Sequence, residues 1–240
     1  EEERAAIEAE LAKKLRILTA LLEKIQKKID SQELDDEFLA LTAQVLRKSP
    51  NIQTLFNIRR DALLKMMEKK EEESDEEWKA RVGQLCNVEL SLCVEALKKD
   101  CKSYTAWFHR FWAFERHPNR DVSAEIKNCD LALTVDQRNF HAWDHLRSVA
   151  RLAQLGSQEA VDFSTKRLTH DVSNYSAYHY RATELPNVRP DTVHGMKINI
   201  EALKEEIALV NGCGATEPKD QSPWRYALWL LDQATSDHRK

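Results

Sequence analysis

An aromatic residue returns five times along this 240-residue chain, each time inside a short motif framed by polar side chains. The anchors are Phe56, Trp107, Trp143, Tyr178 and Trp224, at separations of 51, 36, 35 and 46 residues. A period near 35 residues holds two helices and two turns. Units of that kind bury their apolar faces only by stacking on their neighbours. The chain has 5 Gly and 6 Pro, where average usage gives about 29 together. So few turn formers exclude a many-stranded sandwich, a Gly-rich phosphate loop and a collagen-like chain. The expected fold is all-α, an α-α superhelix of stacked helix pairs. It reads as one helical-repeat domain over 1–240, with an N-terminal helix at 1–29 and five repeats over about 30–235.

The last four motifs open on a small polar residue, Ser103, Asn139, Asn174 or Asp220. Such a side chain caps a helix by accepting from an otherwise unpaired N–H. Behind the cap, Tyr104, Trp107, Phe111 and Phe114 step by 3, 4 and 3, and Tyr175, Tyr178, Ala182 and Leu185 repeat the spacing. These stripes are expected to bury against neighbouring helices. Ahead of the motifs, Val88 to Lys99, Ala124 to Thr134, Glu159 to Thr169 and Ile198 to Leu209 carry the 3–4 period of a preceding helix. The two long intervals hold the charge run Glu68 to Arg81 and the stretch Pro186 to Gly195, both read as exposed. At the start of the chain, Ile7, Leu11, Leu15, Leu18, Leu22 and Ile25 predict a long helix packing on a core.

The formal net charge is −4, which disfavours general nucleic-acid binding. Apolar runs such as Leu228 to Leu231 are too short to span a membrane. No secretory signal is visible. The 5 cysteines include no CxxC pair and read as reduced thiols of a cytoplasmic chain, neither disulfides nor a zinc site.

The pattern Asn-Tyr-x-x-Trp-x-x-Arg at this period resembles the repeat of protein prenyltransferase α subunits. The tetratricopeptide repeat, of similar period, opens on a Trp-x-x-Leu-Gly-x-x-Tyr that is absent here. Within the family, Glu33-Leu34-Asp35, Thr54-Leu55, Lys102-Ser103-Tyr104, Asn139-Phe140-His141, Asn174-Tyr175-Ser176 and Asp220-Gln221-Ser222 are most similar to the Rab geranylgeranyltransferase branch. The runner-up is the branch that reads CaaX tails. Its members place a Gln where this chain has Thr105. A scaffold that kept the repeats and lost enzyme assembly is a third reading, against which Lys102 counts. The chain departs from the pattern at Leu146 and Ala227, which stand in the arginine places of the third and fifth motifs. It reads as a compact member of the family or a fragment of a longer one.

The resemblance implies transfer of geranylgeranyl from its diphosphate to C-terminal cysteines of Rab GTPases. The implied partners are a prenyltransferase β subunit and a Rab escort protein. Zinc, the lipid tunnel and most diphosphate contacts are expected in the β subunit, with no cofactor on this chain and no activity without β. The histidines and cysteines here show no close ligand spacing. One residue matches a catalytic position of the family: Lys102, expected to reach the diphosphate from beside a helix N-terminus, where its charge and free N–H groups point at one anion. Tyr104 is a second candidate, although its place in the apolar stripe reads first as packing. His109, His141, His145 and His179 recur with the motif, so they read as hydrogen-bonding residues between helices or subunits. Arg59, Arg110 and Arg181 read as ties between adjacent repeats or to acids of the β subunit.

Overall fold

A computed structural model describes residues 2–193 and 195–235. Among them the regular structure is helical throughout, as expected. The helices are α1 (Glu2–Asp30), α2 (Asp36–Leu46), α3 (Gln53–Met67), α4 (Asp75–Lys99), α5 (Tyr104–Arg116), α6 (Val122–Val135), α7 (Phe140–Leu152), α8 (Ser157–His170), α9 (Tyr175–Val188), α10 (Ile200–Thr216) and α11 (Ser222–Thr235). They fall into two compact units, residues 1–123 and 124–240.

In the first unit α1 precedes the pairs α2–α3 and α4–α5. Its core gathers Phe38, Leu46, Phe56, Leu63, Leu92 and Ala113. Leu18, Leu21, Ile25 and Ile29 of α1 pack on it. Lys28 fastens the end of α1 to the start of α2 through Asp35 at 2.9 Å and Glu37 at 2.8 Å. The front half of α1 departs from expectation, since Ile7, Leu11 and Leu15 are exposed, as is Leu22 further on. Length explains it. A 29-residue helix is about 44 Å long, whereas the 11 residues of α2 cover about 17 Å. The apolar stripe therefore outruns the helix beneath it.

The second unit holds α8–α9 and α10–α11, each packed pairwise, with α11 also against α9. Trp143, Tyr178, Tyr180 and Leu185 are buried. Pro186, expected in an exposed loop, lies inside α9, which runs to Val188.

The turns within the last four pairs share one build, which the α2–α3 turn lacks, since Ile52 at the start of α3 caps nothing. Ser103 N–H returns to Asp100 C=O at 3.2 Å, Asn139 to Asp136 at 3.0 Å, Asn174 to Asp171 at 3.1 Å and Asp220 to Glu217 at 3.1 Å. Ser103, Asn139 and Asn174 cap their helices as read from the sequence. Asp220 instead accepts from Ser222 N–H at 2.7 Å, just ahead of α11. The connections between pairs have no common build, spanning residues 68–74, 117–121, 153–156 and 189–199. The charge run 68–81 proves half loop and half helix. Ser74 and Glu77 form a capping box for α4, and Arg81 folds back on Glu73 at 2.7 Å.

Candidate functional site

Lys102 sits in the turn joining α4 to α5, and the backbone on both sides of it is fixed. Asp100 Oδ1 accepts from Lys102 N–H at 2.9 Å, and Asp100 Oδ2 from Asn51 Nδ2 at 2.8 Å. Trp107 donates its indole N–H to Cys101 C=O at 2.9 Å. Buried Ser103 donates its hydroxyl to Pro50 C=O at 3.1 Å and accepts from Ala106 N–H at 3.3 Å. The lysine itself is exposed. The fixed turn thus places an exposed lysine at a helix N-terminus, where the helix dipole favours an anion.

Tyr104 lies at the same turn and is not buried as its stripe predicts, being 71% exposed. Tyr175, in the same place on α9, is 47% exposed. The first helical side chain tilts back toward the N-terminus and reaches past the end of the neighbouring helix. Trp107, Phe114, Tyr178 and Leu185 of the two stripes are buried as expected. Trp224 also departs from expectation, at 50% exposed. Its indole lies across Gly214, where an added Cβ would come within 3.2 Å of it. Among the described residues no further pair follows to cover it. Thr105 gives its hydroxyl to Pro50 C=O.

Behind the turn lies a network built on buried glutamates that sequence reasoning missed. Glu89 of α4 receives Arg59 of α3 in a fork, Nε to Oε2 at 2.8 Å and Nη2 to Oε1 at 2.7 Å. His109 Nε2 of α5 stands 2.8 Å from Oε2. Arg59 Nη1 also donates to Thr42 Oγ1 at 2.6 Å. The arrangement recurs in the second unit. Glu206 of α10 takes Arg181 of α9 at 2.7 and 2.6 Å and the Tyr226 hydroxyl at 2.9 Å. Glu125 of α6 meets His145 of α7 at 2.6 Å. The readings of Arg59, Arg181, His109 and His145 as ties between helices therefore hold. Arg110 donates to Leu90 C=O at 3.2 Å, His141 is half-buried and His179 is exposed. The missed signal was available: a Glu stands 20 residues before His109, His145 and Tyr226.

Burial pushes the Glu89 carboxyl up, but hydrogen bonds from His109 and Arg59 outweigh it and hold the group below its ordinary value. Burial also pulls His109 down, against the attraction of Glu89. The pair therefore sits as carboxylate and neutral imidazole, with Arg59 carrying the balancing charge. Among the described residues no three His, Cys, Asp or Glu side chains group as a metal site. No described helix is long and apolar enough to cross a membrane.

The protein prenyltransferase alpha subunit repeat family matches residues 86–117, 122–152 and 203–234. The chain carries protein prenyltransferase alpha subunit repeats. The matched spans cover the second part of α4 with α5, then α6–α7, then α10–α11. The pairs α2–α3 and α8–α9 follow the same helix-pair plan outside the matched spans. The geranylgeranyl transferase type-2 subunit alpha of Bos taurus is 35% identical over 98% of this chain, which spans 40% of that relative. The Dictyostelium discoideum protein of the same name is 30% identical over 82% of this chain and 60% of its own length. The chain thus spans about two-fifths of the length of its mammalian relatives. The structure titled Candida albicans protein geranylgeranyltransferase-I complexed with GGPP has a similar fold, with a TM-score of 0.70 at 18% identity over 89% of this chain and 66% of that one. Lys102, in the turn of the α4–α5 pair, lies inside the first of the matched spans.

Proposed function

We propose that this chain is the α subunit of a heterodimeric Rab geranylgeranyltransferase. The observation that carries the reading is similarity over 98% of the chain to type-2 alpha subunits. In this reading a β subunit supplies the zinc that makes a cysteine thiolate, and a dry site for the lipid. Geranylgeranyl diphosphate is the donor and Rab C-terminal cysteines are the acceptors, in the cytoplasm. The chain alone is inactive.

Its own residues contribute apolar surface and a charge. Tyr104 and Phe108 in the first unit, and separately Phe140, Tyr175, Trp224 and Leu228 in the second, leave apolar surface uncovered, which suits a partner subunit. Lys102 donates to the departing diphosphate as its negative charge develops. Thr105 supports the Rab branch over the CaaX branch. Its short hydroxyl is engaged by Pro50 and cannot copy the paired donors of a glutamine amide toward a tail carboxylate. A short peptide then lacks a contact that fixes its register, and an escort protein docked on folded surfaces supplies the positioning instead.

The test is co-purification with a zinc-containing β subunit. A competition follows between a Rab–escort complex and a CaaX peptide for labelled geranylgeranyl diphosphate. Escort-dependent labelling of Rab is expected. Efficient peptide labelling would move the chain to the CaaX branch, and failure to bind any β subunit would leave the scaffold reading.

A further inference from the structure

Arg59 and Arg60 are neighbours in sequence with opposite fates. The Arg59 guanidinium is consumed inside by Glu89 and Thr42. Arg60 leaves α3 on the adjoining face, half-buried, and reaches no carboxylate at ion-pair distance among the described residues. It is nevertheless held in place. Its Nη2 donates to Asn57 Oδ1, and its Nη1 lies 3.5 Å from His109 Nδ1. Its guanidinium carbon stands 5.0 Å from the centre of the Phe108 ring. His109 is suited to this, because hydrogen bonding to Glu89 through Nε2 leaves the Nδ1 lone pair of a neutral ring facing Arg60.

A second arginine adds to the local positive charge. Arg116 lies over Trp112 at 4.6 Å and pairs with Glu115 at 3.0 Å. Burial pulls the Arg60 pKa down, the Asp61 charge pushes it up, and the Arg116 charge pulls it down again, with a net lowering. The group that would relieve Arg60 is an anion placed over Phe108.

We infer that Arg60, seated on Phe108, anchors a carboxylate carried by the partner subunit that covers α3 and α5. The inference rests on the functional reading above, in which a β subunit docks on this chain. The chemistry selects a carboxylate because the planar guanidinium fork matches it with two parallel bonds. It selects a protein because Phe108 is 62% exposed and Tyr104, one turn earlier on α5, is 71% exposed. A small free anion would leave both rings in water. Aromatic and arginine side chains side by side are what carries the energy of protein interfaces.

The experiment compares the affinity of a type-2 geranylgeranyltransferase β subunit for the unsubstituted chain and for Arg60→Gln, at low and high salt. Glutamine keeps an amide donor for Asn57 and removes the charge. Truncating a desolvated charge pair weakens binding by about 30-fold or more, and the salt dependence should fall with it. Circular dichroism reports the fold of each chain. Phe108→Ser tests the same anchor from an exposed side chain and should weaken binding in the same direction. Arg60→Lys with a carbodiimide should then join the new amine to one partner carboxylate, identified by peptide mapping. Unchanged affinity and salt dependence in Arg60→Gln and Phe108→Ser would overturn the inference alone. Unchanged affinity with lost geranylgeranyl diphosphate binding would make Arg60 a small-anion site, and also overturn it. Failure of the unsubstituted chain to bind β would overturn the functional reading beneath it.

Discussion

Leu146 and Ala160 fill the two sequence places that hold an arginine and a glutamate at the other junctions. Arg59 and Arg181 lie three residues after their aromatic anchors, as Leu146 does after Trp143. Glu89, Glu125 and Glu206 lie 11 residues before Asp100, Asp136 and Glu217 of the pair turns, as Ala160 does before Asp171. Both members of the pair are replaced by small or apolar groups, and both are buried. Removing one alone would strand a charge in the core.

That coupling is measurable. Leu146→Arg alone should destabilise the chain, and Ala160→Glu alone should too, each by burying an unpaired charge. The double substitution should recover part of the loss, with a coupling of about 1–3 kcal/mol. At the intact junction, Arg59→Ala should cost about 3–5 kcal/mol by stranding Glu89. Urea unfolding of the five chains, with m-values compared, checks both expectations.

Acid should weaken the first unit in two stages. His109 is held below its ordinary 6.5, so the unfolded chain binds a proton that the folded chain refuses. Its contribution is full above that value and declines as pH falls below it. Glu89 is likewise held below its ordinary 4.5, so a second decline follows at lower pH. His109→Gln should shrink the first stage to the part left by His117, which burial also holds below its ordinary value, and leave the second. Thermal melts from pH 8 to pH 3.5 would show whether the upper slope shrinks.

Cys86 should resist alkylation. Burial, with Glu89 nearby, pushes its thiol up to about 11, leaving little thiolate at pH 8. Iodoacetamide labelling with mass spectrometry should find Cys86 unmodified in the folded chain and modified in urea. Rapid labelling without denaturant would contradict its buried position.

Lys102→Ala should leave the chain folded, because Asp100, Ser103 and Trp107 hold the turn through their own bonds. In the proposed heterodimer it should slow the chemical step by about 10²–10³. Single-turnover kinetics separate that loss from binding. An unchanged rate would return Lys102 to the solvated surface.

Much of this was legible in the sequence. The aromatic period located every helix pair, and Ser103, Asn139 and Asn174 marked the caps, because helix ends have local chemical requirements. Residues whose fate depends on what lies across from them were less legible. Tyr104 and Trp107 share one periodic stripe, yet one is in water and the other in the core. Periodicity names a face and cannot say where the neighbouring helix stops. Likewise α1 keeps its stripe beyond the helix that covers it. Glu89 and Glu206 were overlooked because a glutamate on a charged helix reads as surface. Only their distance to His109 and Tyr226 betrays a buried role.

The two kinds of connection have a practical consequence. From α4–α5 onward, each turn inside a pair is a metered hinge, closed by the same backbone bond and wedged by a polar side chain. Stretching it by one residue would rotate the following helix by about 100° and swing its stripe out of the core. The links between pairs obey no such metre, and loop closure becomes costlier only slowly as a link grows. A reporter tag, or a whole folded module, is therefore best spliced into residues 117–121 or 153–156. There the chain can lengthen freely while the hinge that carries Lys102 keeps its geometry.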